Sequence, residues 1–91
     1  MTKADRANLD RVASLGCILC RHLGLGETPA QIHHPRTGLG MSQRAPHSDA
    51  IPLCPEHHLG STGVHGLGTR AFARMYGLTE SDLLAMTREA L

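Results

Sequence analysis

Aromatic residues are almost missing from this chain: among 91 residues there is one Tyr, one Phe and no Trp. A core must therefore be assembled from Leu, Ile, Val, Ala and Met, and in so short a chain, with much surface for its volume, that core is thin. Charge of one sign is missing too. Nine basic against eight acidic side chains leave a formal net charge of +1, which excludes a global field for nucleic acid, so any contact with it rests on local charge. No apolar run approaches the length that spans a bilayer. Met1 to Arg6 alternates polar, charged and small residues with no apolar run behind it, so no secretory signal is expected; a cytoplasmic setting without a membrane partner follows. Asparagine occurs once, at Asn8. The three cysteines, an odd number, cannot close a disulfide framework without leaving a free thiol, which fits a reducing compartment.

Glycine and histidine are abundant instead, ten and seven residues. The histidines lie mostly between His33 and His65, interleaved with cysteines. A thin core with much loop commonly recovers stability from a staple. The chain reads as one domain, residues 1–91, with an N-terminal helix (1–15), a central core (16–66) and C-terminal helices (67–91). Leu9, Val12 and Ala13 recur on one side of a helix from Lys3 to Leu15 that Gly16 stops. Cys17 to Cys20 reads as a tight turn, and Ala30, Gln31 and Ile32 as a short strand running into His33-His34, a β-hairpin whose turn carries the first cysteine pair. Pro35 to Pro46 reads as an exposed Gly-rich loop. Ala50 to Leu53 lead into Cys54, and Pro55 suits the first turn of a short helix holding His57 and His58, ended by Gly60 and Gly63. A helix from Thr69 carries Arg70, Phe72, Ala73 and Tyr76 and stops at Gly77. Thr79 with Asp82 three residues on starts a last helix that offers Leu83, Leu84 and Met86 for burial.

Cys17 and Cys20 are separated by two residues, as are Cys54 and His57, so each pair can wrap a tetrahedral cation from one turn. Four thiolate and imidazole ligands with no open position favour a structural Zn2+. For zinc-finger peptides such binding contributes on the order of 10 kcal/mol, in apparent terms, to folding. The plain alternative is three small buried cysteines. If His57 serves the zinc, His58, projecting about 100° away on the same helix, is free for a second metal. His33, His34 and His58 are then expected to share one cleft, although His33 and His34 face opposite sides of a regular strand, so joint use requires a distorted strand end.

The series Cys17-x-x-Cys20, His33-His34, Asp49, Cys54-x-x-His57-His58 resembles the HNH, or ββα-metal, endonuclease superfamily in its zinc-stapled form. Met41-Ser-Gln-Arg-Ala, Ile51-Pro-Leu-Cys-Pro-Glu-His-His, Val64-His65-Gly and Tyr76-Gly-Leu-Thr resemble more narrowly the Ref-like, RecA-dependent nucleases of phages and prophages. The resemblance implies an α+β fold, a small zinc-stapled ββα-metal, treble-clef-like core with flanking N- and C-terminal helices. It also implies a metal-dependent DNA endonuclease that hydrolyses phosphodiester bonds with little sequence preference, in phage recombination or DNA processing, in a bacterial host cell or phage-encoded. His34 is then the general base. His33 and His58 hold the catalytic ion, Mg2+ or another divalent ion, with His65 as a third ligand, a phosphate contact or an exposed side chain. Partners are DNA and a RecA-type recombinase filament.

Two departures stand out. The middle residue of the motif is usually Asn; Asp49 occupies its place, so either the loop is held in another way or Asp49 approaches the metal as a catalytic group. Ref-like enzymes can carry a long basic N-terminal arm where this chain has a short near-neutral helix. Arg36, Arg44 and Arg70 are candidate phosphate contacts; Arg74, His22 and His47 read as surface residues. The competing function is a non-catalytic zinc-stapled module that binds nucleic acid or protein, which would have no use for His33, His34 and His58 at these places.

Overall fold

Thr2 and Asp5 begin the fold by capping each other: the Thr2 hydroxyl accepts from the Asp5 N–H at 3.0 Å, and the Asp5 carboxylate accepts from the Thr2 N–H at 3.0 Å. This satisfies donors that a helix start leaves open, and helix α1 (Lys3–Ser14) follows, burying Val12. The computed structural model describes residues 1–35 and 46–91; Arg36 and Arg44 lie outside the described residues. At Gly16 the backbone takes φ +76°, and a β-carbon there would stand 3.0 Å from the Thr28 carbonyl. Only glycine suits that turn. It lets the Cys17 N–H donate to the Thr28 carbonyl at 2.9 Å.

Cys17 is the N-cap of a short helix, α2 (Ile18–His22), its sulfur accepting from the Cys20 N–H at 3.4 Å. The first cysteine pair thus occupies a helix start, with Ile18 and Leu19 buried between its members. No strand precedes it among the described residues. The expected hairpin around these cysteines is therefore replaced by another pairing: β1 (Gln31–His33) runs antiparallel to β2 (Ile51–Leu53), in the register Gln31 with Leu53, Ile32 with Pro52 and His33 with Ile51. Pro52 is tolerated because both strands of a two-stranded sheet are edges.

Helix α3 (Pro55–His58) starts with Pro55 in its first turn, as expected. The next segment departs from expectation, for α4 (Val64–Leu67) forms where only a glycine turn was foreseen. Its cause is close packing. A β-carbon at Gly63 would collide with the backbone of Glu56 and His57, and one at Gly66 with the Gly60 carbonyl. Buried Val64 then pins α4 against α3, placing His65 on a helix beside His58. Helix α5 (Thr69–Tyr76) ends at Gly77 with φ +69°. Helix α6 (Glu80–Ala90) opens with the Thr79/Asp82 capping box. The core joins Ile18, Leu19, Ile51, Leu53, Val64, Phe72 and Leu83 to the three cysteines. The chain is thus a small α+β protein in which antiparallel β1 and β2 lead into α3, with helices on either side in sequence.

Candidate metal centres

Cys17 and Cys20 at the start of α2 meet Cys54 and His57 at the start of α3, all four buried. The Nδ1 atom of His57 lies 3.6, 3.5 and 3.3 Å from the sulfurs of Cys17, Cys20 and Cys54, and the sulfurs of Cys20 and Cys54 are 3.8 Å apart. With Zn–S near 2.3 Å and Zn–N near 2.0 Å, the edges of a tetrahedral site are about 3.8 Å between sulfurs and about 3.5 Å from sulfur to nitrogen. The observed edges match. No disulfide joins these cysteines. Burial pushes the Cys17 thiol up to about 12, a state that a bound dication reverses by stabilising thiolate. The cluster can therefore hold a structural metal such as zinc. Both aromatic residues serve it: Tyr76 packs edge-on to the His57 ring at 5.6 Å, leans on Phe72 at 4.7 Å, and donates its hydroxyl proton to the Thr62 carbonyl at 2.8 Å.

The adjacent residue on α3 belongs to a second group. His58, His33 from β1 and His65 from α4 bring one ligand atom each to within 4.8 Å of one another, with ring centroids 4.8 to 5.3 Å apart. Three imidazoles around one ion, each bound at about 2.0–2.1 Å, would have centroids about 4.5 to 5.2 Å apart for ligand angles between octahedral and tetrahedral. The arrangement fits an ion with further positions left for water or substrate. Burial, with His33 and His65 nearby, lowers His58 to about 4. Burial also lowers His65, helped by His33 and opposed by Glu80. Both rings are thus neutral near pH 7 and able to ligate.

Neighbours fix two of these rings. The His58 Nδ1–H donates to the Gln31 side-chain oxygen at 2.9 Å, which leaves the His58 Nε2 lone pair for an ion. His33 Nε2 lies 2.5 Å from a carboxylate oxygen of Glu80, both side chains almost fully buried. Strand alternation puts Gln31 and His33 on one face of β1, so three residues of backbone supply a ligand and a supporting amide. Neither Gln31 nor Glu80 was singled out from sequence. The i, i+2 spacing of Gln31 and His33 was a usable signal; nothing local marks Glu80.

His34 goes elsewhere. Its Nε2 lies 3.2 Å from Nδ1 of His47, and the His47 carbonyl accepts from the Asn8 side-chain amide at 3.0 Å. Of the histidines expected to share one cleft, His33 and His58 group with His65, and His34, just past the end of β1, pairs with His47. His47, read as a surface residue, is half-buried and pairs with His34. Burial lowers His34, as do His47 and His33, while Asp49 opposes. Asp49 belongs to neither metal-capable group among the described residues and instead accepts from Arg88 at 2.6 Å. Arg70 is exposed on α5 and lines a cavity of about 300 Å3 with Thr69, Ala73, Thr79 and Glu80. No helix among the described residues is long and apolar enough to cross a membrane.

A family profile described as "Recombination enhancement, RecA-dependent nuclease" matches residues 1–91. No curated protein and no solved structure matches.

Proposed function

Since the chain belongs to the recombination-enhancement, RecA-dependent nuclease family, we propose that it is a metal-dependent DNA endonuclease of the HNH (ββα-metal) type, cutting phosphodiester bonds with little sequence preference during recombination. One observation carries this reading: three imidazoles with room for an ion between them, His33, His58 and His65, on an antiparallel strand pair and the helices after it. The ion they would hold, Mg2+ or another divalent ion, supplies Lewis-acid stabilisation of the phosphate and the leaving oxygen. That local charge answers the chain's near-zero net charge. Histidine is a softer ligand than Mg2+ prefers, so Zn2+ or Ni2+ can occupy the trio on purification. The closed Cys17, Cys20, Cys54 and His57 cluster holds a structural zinc.

His34 is the general base. With its Nε2–H donating to His47, its Nδ1 lone pair takes a proton from the attacking water as the new phosphorus–oxygen bond forms and the bond to the leaving oxygen breaks. Lowered basicity keeps His34 neutral beforehand, and Asp49 favours the imidazolium that follows; this electrostatic part is the role assigned to Asp49. The loop-ordering hydrogen bond that the motif draws from its own Asn comes here from Asn8 in α1, through the His47 carbonyl. Arg70 is the described candidate for a phosphate contact, with Arg36 and Arg44 beyond the described residues, and a RecA-type filament is the protein partner.

Supercoiled plasmid incubated with Mg2+ or Mn2+ should be nicked by the wild type, with cleavage about 100- to 10,000-fold slower for His34→Ala. Equal cutting by the two proteins at equal purity sinks the nuclease reading. DNA binding without cleavage under any divalent ion would favour the zinc-stapled binding module instead.

A further inference from the structure

Glu80 is a buried acid to which the proposed reaction assigns nothing. It is the first residue of α6 and only 3% exposed, and burying a carboxylate is unfavourable unless its charge and lone pairs are compensated. The helix does not require it. Thr79 and Asp82 already cap α6, Leu83 anchors it in the core, and buried Thr87 donates its hydroxyl proton to the Leu83 carbonyl at 2.8 Å. A buried ion pair is weak evidence for stability.

The geometry points to Glu80 as a positioning residue of the His33–His58–His65 centre, acting through His33. With Glu80 as the anion, the 2.5 Å contact places the proton on His33 Nε2 and leaves the Nδ1 lone pair to ligate. A carboxylate behind a ligating imidazole fixes its ring and raises its basicity. Gln31 does the first of these for His58 as a neutral amide; Glu80 adds charge. Three neutral imidazoles leave the full charge of a dication in a half-buried site, and one carboxylate halves it. The position also favours the anion, since the first turn of an eleven-residue helix presents the positive end of its dipole. Glu80 and His33 are 47 residues apart, so α6, from the far end of the chain, becomes part of the centre built on β1 and α3.

This inference rests on the trio being a metal centre, and its test separates the two. Full-length protein with zinc in its cysteine cluster is titrated with Co2+, following cobalt absorption, and the imidazole protons are located by long-range 1H–15N correlation. The wild type should bind one Co2+ with the His33 proton on Nε2. In Glu80→Ala, affinity should fall about 10- to 100-fold, with the His33 proton spread over both nitrogens and the cysteine-bound zinc retained. Glu80→Gln keeps size and an acceptor oxygen and remains informative if the alanine variant does not fold. It should hold the Nε2–H tautomer and bind Co2+ more weakly than wild type but better than Glu80→Ala. A wild type that takes up no Co2+ overturns the metal centre and the inference with it. Wild-type affinity in Glu80→Ala, a glutamine variant that loses the tautomer, or a wild-type His33 proton on Nδ1 overturns the inference alone.

Discussion

His57 and His58 are neighbours on one short helix and face two different groups. The first completes a set of four buried ligands with no vacant corner; the second joins three imidazoles, one buried, one half-buried and one exposed. Support differs as well. The closed set is backed by apolar core and the chain's two aromatic rings, whereas the open set is backed by polar groups, Gln31 and Glu80, that decide which nitrogen carries a proton. A metal enclosed by four protein ligands stabilises a fold, and one with vacant positions can act on a substrate. Under the proposed function, adjacent residues divide stability and chemistry between them.

The sharpest way to break that division is to remove one ligand from each group. Cys54→Ser should abolish the closed site and, with a metal contribution on the order of 10 kcal/mol at stake, unfold the chain; loss of the α-helical circular dichroism signal on substitution or on strong chelation checks this. His58→Ala should leave that signal and the zinc content intact while DNA cleavage falls on the order of 100-fold or more. If His58→Ala unfolds the protein and Cys54→Ser does not, the assignment of roles is inverted.

The closed site was legible in sequence because its geometry is local: two intervening residues span one turn, whether Cys17 to Cys20 or Cys54 to His57. The capping box at Thr79 and the stop at Gly77 depend on near neighbours too, and the helices they bound formed where such signals place them. What escaped reading is long-range. Asn8 meets His47 across 39 residues and His33 meets Glu80 across 47, and no periodicity encodes either. Helix α4 escaped for another reason: Gly63 read as a helix stop, yet the missing side chains of Gly63 and Gly66 are what let α4 lie against α3. His33 lies in β1 and joins the trio, whereas His34 lies just past the strand's end and pairs with His47.

Acid should sharpen the contrast from another direction. With zinc in the closed site and no ion in the trio, His34, His58 and His65 all sit below the ordinary imidazole value, His58 at about 4, burial being the largest cause for each. Between an unfolded value of about 6.5 and those lowered folded values, the unfolded chain takes up protons that the folded chain declines. Stability therefore rises with pH across this window: it is complete above the unfolded value and is lost as pH falls toward about 4. Urea midpoints between pH 7.5 and 5.5 should fall steadily, and His58→Asn should flatten the slope. An unchanged slope in that variant would mean that the trio does not sense burial as described.

The smallest expected effect tests the His34–His47 pair next to His33. The Asn8 amide donates to the His47 carbonyl, and removing one such partly buried hydrogen bond costs about 1 kcal/mol, so Asn8→Ala should lower thermal stability slightly and slow cleavage less than His34→Ala does. Asn8→Asp discriminates better because an ionised carboxylate only accepts. Two acceptors would then face each other where a donor stood, pushing the His47 backbone, and with it the ring that meets His34, out of place. Cleavage by Asn8→Asp should therefore fall below that of Asn8→Ala even though aspartate is closer to asparagine in size. The reverse order, measured as single-turnover nicking at saturating Mg2+, would show that the amide does not reach His34 through the His47 loop.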